Sequence, residues 1–329
     1  MDKKQIYAQD REHGPLVSFI ITYHNEPIDM LQECLQSILC LSLSAAEREI
    51  VLVDDASDNS PLTLLGSYAD DIIYVRQPHG GVSVARNRGI SVCQGQYVQF
   101  VDADDCLLRA SYEHCLDLVR YNDADVVAFQ HTHQTEDDTP FTYDGPTDGA
   151  TYMRHNNIQG RVCNYIFKRS ILINLRFTKG VAFGEDEEFT PQLLLRSERL
   201  YVSKAKPYYY RLRPGSAIQS RDKRSKVRRL SDTFGVICRL NTLADTLPQT
   251  EREALTRRVN QLTMDYVYNS MVLTHDWRYV ERLVERLHGV GLFPLPDADY
   301  TKKYKLFRRV TATKAGRRLL LRLLTLRKA

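Results

Sequence analysis

Five short strand-like runs punctuate the first part of the chain: Leu16 to Thr22, Glu49 to Val53, Ile72 to Val75, Tyr97 to Val101 and Val126 to Phe129. Each is β-prone and too short for a helix, so each predicts a buried strand. Between them the apolar period lengthens. Leu31, Leu35, Ile38 and Leu39 recur at helical spacing within Ile28 to Leu41. Ser60-Pro61 reads as an N-cap with Pro at the first helical position. Gly80-Gly81 precede a helix from Ser83 to Cys93, and another helix covers Arg109 to Tyr121. Strands alternating with helices predict an α/β fold, with a mostly parallel, doubly wound sheet.

Past Phe129 the pattern changes twice. His131 to Gly149 clusters Thr, Asp, Pro and Gly, the composition of a loop or an irregular hairpin. A helix is expected from Glu185 to Leu195, a strand at Tyr208 to Leu212 and a turn at Arg213-Pro214-Gly215-Ser216. Beyond Arg221 the period is helical over Val227 to Thr246, Glu251 to Leu273 and Tyr279 to Leu287, and a breaker-rich linker follows at Gly289 to Pro296. The expected division is an α/β domain at 1–218, a helical region at 219–299 and a tail at 300–329.

Charge sharpens that division. The chain of 329 residues carries a net charge of +4, yet Tyr300 to Ala329 holds eleven Lys or Arg and no acid, which leaves −7 for residues 1–299. The basic character belongs to the tail. Seven scattered cysteines without a Cys-x-x-Cys pair argue against a zinc site and for a reducing, cytoplasmic compartment. No apolar run approaches the roughly 20 residues of a membrane span. The N-terminus lacks the apolar core of a signal peptide.

The fourth strand leads straight into Asp102-Ala103-Asp104-Asp105. Three carboxylates within four positions at a strand's C-terminal end repel one another. A divalent cation on a phosphorylated ligand relieves that repulsion, and hard oxygens suit Mg²⁺ or Mn²⁺. Ligands of open α/β sheets sit at this end of the strands. Taken alone, the triplet also fits a solvated turn or a helix cap.

Five segments, in order, resemble the motifs of family-2 glycosyltransferases with a GT-A fold. They are Val17 to Glu26 (VSFIITYHNE), Val51 to Ser57 (VLVDDAS), Gly80 to Gly89 (GGVSVARNRG), Phe100 to Asp105 (FVDADD) and Phe183 to Asp186 (FGED). A basic segment at Tyr208 to Ser216 resembles the close of that catalytic domain, and the likeness covers residues 16 to about 216. The resemblance implies a Rossmann-like GT-A domain with a C-terminal helical extension. It implies an inverting, metal-dependent transferase that uses a nucleotide-sugar, with UDP-sugar favoured.

The resemblance also implies roles for particular residues. Asp55 accepts the uracil N3–H, with Thr22, His24 and Glu26 lining the same pocket. Arg86 and Asn87 sit early on a helix, where the N-terminus and a guanidinium favour phosphate. Asp104 coordinates Mn²⁺ or Mg²⁺, and Asp102 contacts the ribose or the metal shell. Asp105 is a neighbouring support or a helix cap. Asp186 is the general base, and Glu185 orients the base or the acceptor. Arg211 reaches the diphosphate, and the tyrosines beside it are core or sugar-stacking residues. The acceptor is a glycan or a lipid-linked saccharide in surface polysaccharide synthesis. The Gln-x-x-Arg-Trp motif of processive members is absent, which favours addition of one sugar.

Lys314 to Arg327 fits an amphipathic helix, with Leu319, Leu320, Leu323 and Leu324 on one face and Arg318 and Arg322 toward another. Such a helix lies on an anionic membrane or docks on the protein. Membrane binding would make the enzyme peripheral on the inner face of the cell membrane. The acidic body argues against nucleic acid as a partner. Two rival functions stand beside the transferase. A nucleotidyltransferase making nucleotide-sugars needs a Gly-rich basic loop after the first strand, where Thr22 to Glu26 sits instead. A non-catalytic nucleotide-sugar-binding module would need neither Asp104 nor Asp186, and both are present.

Overall fold

All five strand-like runs form strands: β1 (Val17–Tyr23), β2 (Arg48–Asp54), β3 (Ile72–Arg76), β4 (Tyr97–Asp102) and, after the two-residue β5 (Cys106–Leu107), β6 (Val126–Ala128). The computed structural model describes residues 14–136, 139–213, 222–298 and 300–326. The described residues form two compact units, 14–149 with 159–213 and 150–158 with 222–326. Most of the turn expected at Arg213 to Ser216 lies outside the described residues.

In the first unit an eight-stranded sheet runs in the order β3-β2-β1-β4-β9-β6-β10-β8, where β8 is Tyr143–Thr147, β9 Tyr165–Lys168 and β10 Leu200–Ser203. Strands β1 to β4 are mutually parallel, with Thr22 opposite Asp102 and Tyr23 opposite Asp54. That register brings three strand ends to one edge. Strands β8 and β9 enter antiparallel. They were not legible because their residues are few and their patterns irregular. The segment 131–149, expected as a loop or irregular hairpin, contributes β7 (His131–Thr132) and β8 to two different sheets. The second sheet has the order β5-β11-β7, with β11 at Tyr208–Tyr209.

Helix α1 (Ile28–Leu39) buries Leu31, Cys34, Leu35 and Ile38, the stripe its spacing predicts. After the single-turn α2 (Leu62–Leu65), helix α3 (Val82–Val92) presses on β1. A Cβ on Gly89 would stand 2.2 Å from the Ile20 methyl, so only glycine lets the helix come this close. Phe19, Ile21, Leu52, Tyr112 and Ile166 belong to the core around the sheet, each wholly buried. Each such side chain contributes about 1.5–3 kcal/mol by leaving water. Helix α4 (Arg109–Asn122) buries Tyr112, Cys115, Leu116 and Val119.

The second unit is helical, and its first segment, within α5 (Gly149–His155), lies between strands in sequence. Helix α6 (Glu185–Leu194) belongs to the first unit. Helices α7 (Lys223–Thr246), α8 (Gln249–Thr274) and α9 (Trp277–Gly289) extend the expected helices by a few residues. Two helices carry the basic tail, α10 (Lys302–Thr311) and α11 (Lys314–Leu326). Helix α11 turns Arg317 and Leu321 inward, and Arg317 pairs with Glu281 at 2.7 Å. Of the four leucines expected on one face, Leu319 is 59% and Leu323 53% exposed, while Leu320 and Leu324 are half-buried. No described helix is long and apolar enough to cross a membrane.

Candidate active site

Two groups of carboxylates stand at the C-terminal edge of the parallel strands. The first is at the end of β2. Asp54 is fully buried and accepts from the Tyr74 hydroxyl at 2.6 Å and the Ser57 N–H at 2.7 Å. Asp55 is almost as buried. It accepts from the Gln77 amide and from the Gly80 and Gly81 N–H groups, each at 2.8 Å, with the His79 ring at 2.9 Å. Gly81 has φ +82°, a backbone conformation that glycine adopts without strain. Burial alone would raise the Asp55 pKa, but the Gln77, Gly80 and Gly81 donors hold it below the ordinary carboxylate value.

The exposed His24 ring stacks on that of His79, with centroids 4.6 Å apart, and its Nδ1 lies 2.8 Å from the Asp55 carbonyl. Ligand atoms of His24, Asp55 and His79 lie within 4.8 Å of one another. Each Asp55 oxygen already takes two donors, so this trio suits a hydrogen-bonded ligand better than a metal ion. Thr22 is half-buried at the end of β1. Glu26 accepts from the His24 N–H, and burial raises its pKa, with the charge of Asp104 adding to the rise. Gln77 and His79 were not expected here, although both shortly precede the Gly80-Gly81 signal.

The second group surrounds the end of β4. Arg86 is buried, and its guanidinium meets Asp186 at 2.6 Å and Glu185 and Asp102 at 3.2 Å each. It lies 5.4 Å from the Phe177 ring centroid and 5.9 Å from that of Phe100. Burial would lower the pKa of Arg86, but Asp186, Asp102 and Glu185 hold its proton firmly. Arg86 therefore does not face an open phosphate site, as the helix N-terminus suggested. It is the shared counterion of three carboxylates. Asn87 is also turned away from such a site. Its amide donates to the Phe177 carbonyl at 2.8 Å and accepts from the Phe177 N–H at 2.9 Å, clamping that segment to α3.

Helix α6 begins after Gly184, a residue at φ +88°, and carries Glu185, Asp186, Glu187 and Glu188 in its first turn. Carboxylates are favoured there by the helix dipole. Asp186 also accepts from the Val162 N–H at 3.3 Å. Burial pushes the Asp186 carboxyl up, and Asp102 adds to that while Arg86 opposes it. Burial and the neighbouring Asp186 push Glu185 up to about 7.

Asp105 is buried and accepts from the Tyr208 hydroxyl and the Arg211 N–H, each at 2.8 Å. Burial, then the charge of Asp102, pushes it up to about 8. Arg211 does not reach into the site. Its guanidinium donates to the Asp104 carbonyl at 3.0 Å and pairs with Glu33, bracing the loop. Arg213, to which the sequence assigned only a turn, pairs with Asp104 at 2.5 Å. Asp102 and Asp104 each engage one arginine and keep one oxygen without a hydrogen-bond partner among the described residues. Two hard oxygens on one strand end fit a divalent cation.

Residues 18–178 match the model of glycosyl transferase family 2, and this segment belongs to that family. The chain is 29% identical over 219 residues to the uncharacterized glycosyltransferase EpsJ of Bacillus subtilis, covering 61% of this chain and 62% of that one. It is 26% identical over 202 residues to the minor teichoic acid biosynthesis protein GgaB of the same organism, covering 58% of this chain and 22% of that one. The chain thus spans less than two thirds of the length of these relatives. Among solved structures, S. aureus TarS 1-349 matches with a TM-score of 0.71 at 17% identity, covering 93% of this chain and 90% of that one. The same protein in complex with UDP matches at 0.68. The fold is the one these structures share.

Proposed function

We propose that the protein transfers one sugar from a UDP-sugar to a hydroxyl of a surface glycan, with inversion. What supports this reading most is the convergence of Asp102, Glu185 and Asp186 on one buried guanidinium, with Asp104 on the same strand end. Asp186 takes the proton of the acceptor hydroxyl as that oxygen attacks the anomeric carbon from the face opposite the diphosphate. The bond from that carbon to the phosphate oxygen breaks, and its electron pair leaves with UDP. Asp102 and Asp104 would hold Mn²⁺ or Mg²⁺, which supplies Lewis acidity against the charge on the departing diphosphate. Arg86 keeps Asp186 and Glu185 oriented. Its charge also opposes the rise that burial imposes on the base.

The uracil ring fits beside His24. Its N3–H reaches Asp55 by replacing the Gln77 amide or the His79 ring, the two side-chain donors among the four. Thr22 and Glu26 border the same space. The likeness to GgaB and the UDP complex of TarS favour a UDP-sugar and a surface-polymer acceptor.

The test is UDP release from a panel of UDP-sugars with Mn²⁺ or Mg²⁺, in wild type, Asp104→Ala and Asp186→Asn. Metal-dependent release from one donor, lost in Asp104→Ala, is expected. Asp186→Asn should slow sugar transfer about 10²–10⁴-fold, the usual worth of a positioned base. Absence of both turnover and UDP binding in the presence of metal would refute the donor assignment.

The tail gives the enzyme a membrane-facing surface in this proposal. Leu306, Leu319, Leu323 and Leu326 are exposed among lysines and arginines, the pattern of an interfacial helix pair. Wild type should sediment with vesicles containing anionic lipid, and Leu319→Ser with Leu323→Ser should abolish this. Equal sedimentation of both proteins would remove the tail from that role.

A further inference from the structure

Most arginines near the site are matched by carboxylates: Arg86 by three, Arg211 by Glu33 and Arg213 by Asp104. Arg161 is different. It is half-buried and immediately precedes Val162, whose N–H donates to Asp186. Its guanidinium lies 4.8 Å from the Tyr210 ring centroid, and one terminal nitrogen lies 3.0 Å from His131 Nε2. It has no carboxylate partner among the described residues, and its other N–H groups have no protein acceptor there.

The surroundings fix its direction. Burial, then the charge of Arg161, pushes His131 down to about 4, so the ring is neutral and accepts from the guanidinium. His133 is exposed and bonds through Nδ1 to the Tyr210 carbonyl at 2.8 Å. The rings of His131, His133 and Tyr210 meet edge to face at 5.5–5.7 Å. This wall rises from β7, β11 and the 159–164 segment, one residue from the contact to Asp186. A cation one residue from the Val162 N–H that holds Asp186, yet paired with no carboxylate among the described residues, leaves its charge for a group arriving from outside. Arginine stacked on an aromatic face presents its edge, the geometry that grips an oxyanion with two hydrogen bonds.

We propose that Arg161, with His133 and Tyr210 beside it, forms an acceptor subsite for an oxyanion: a phosphodiester or a sugar carboxylate adjoining the hydroxyl that receives the sugar. The inference rests on the reading of Asp186 as the base. An anionic acceptor entering an acidic site would be repelled, and an unmatched guanidinium on the segment that holds the base offsets that repulsion locally. A neutral acceptor would gain nothing from it.

Binding of three probes to the whole protein with UDP and Mn²⁺ present tests this by ligand-observed magnetic resonance. The probes are bis(glycerol) phosphate, glucuronic acid and glycerol. One anion should bind at least tenfold tighter than glycerol, and the preference should fall at least tenfold in Arg161→Gln and return in part in Arg161→Lys. A phosphodiester preference names a phosphate-linked acceptor, and a glucuronate preference names a uronic acid acceptor. Anion binding no tighter than glycerol, or equally tight in correctly folded Arg161→Gln, overturns the proposal. UDP affinity of wild type is measured in parallel: its persistence alongside such a result condemns the subsite and spares the donor reading, whereas its absence condemns the donor reading itself.

Discussion

Two ends of neighbouring strands treat carboxylates in opposite ways. At the end of β2, Asp54 and Asp55 are surrounded mainly by N–H and O–H donors, and their pKa values fall below the ordinary range despite burial. At the end of β4, Asp102, Glu185 and Asp186 crowd one arginine, and Asp105 lies buried beside them. Glu185, Asp186 and Asp105 all rise. Fixed dipoles suit a carboxylate that must stay charged and hold a ligand. Competition for a single counterion suits one that must gain and lose a proton. In the proposed reading, the contrast separates a nucleotide pocket from an acid–base centre on the same sheet edge.

The largest effect should come from removing the shared counterion. Arg86→Met leaves Glu185, Asp186 and the more exposed Asp102 around an apolar side chain, and breaking a fully buried pair costs about 3–5 kcal/mol, an upper bound for this partly exposed cluster. Urea unfolding should show that loss at pH 8 and a smaller one at pH 5, where more of the carboxylates hold protons. The sign in wild type follows from the same shifts. Between the ordinary carboxylate range and about pH 8, the folded protein retains protons on Glu185 and Asp105 that the unfolded chain has released. Stability therefore falls as pH rises through that window. Asp54 and Asp55 act in the other direction: what they contribute is present above the ordinary carboxylate pKa and is lost as pH falls below it. An unchanged pH profile in Arg86→Met would show that Arg86 is not the common partner.

Much of this was legible beforehand. Strands β1 to β4, the helices between them and the order of the motifs follow from apolar period and from Gly and Pro positions, which are local signals. The carboxylates were legible for the same reason. What fills the space between them was not. Arg86 looked like a phosphate ligand because its helix N-terminus is a local feature. Its partners Glu185 and Asp186 lie about a hundred positions away and reach it only through the fold. Asn87 fails likewise, since its contact is the Phe177 backbone, ninety positions on. Strands β8 and β9 escaped detection because their pairing partners, rather than their own composition, make them strands. In α11 the residues turned inward are Arg317, paired with Glu281, and Leu321, and that long-range pairing was not readable from the leucine spacing.

The smaller effect sharpens the other half of the contrast. Asp55→Asn keeps the shape of the side chain but replaces one acceptor oxygen with an N–H₂ group. Four donors then face one oxygen and one donor, so at least the Gly81 N–H or the Gly80 N–H loses its partner. A hydrogen bond to a charged group contributes about 1.5–3 kcal/mol. The nucleotide, which must compete for the remaining oxygen, should bind about ten to a hundred times more weakly by calorimetry, since each 1.4 kcal/mol is a factor of ten. The acid limb of the stability profile should also become shallower, because one of the two groups that lose stability on protonation has gone while Asp54 remains. The alkaline limb, which belongs to Glu185 and Asp105, should stay. If the substitution instead altered the alkaline limb and left UDP affinity intact, the two strand ends would be one electrostatic unit and the division between pocket and acid–base centre would fail.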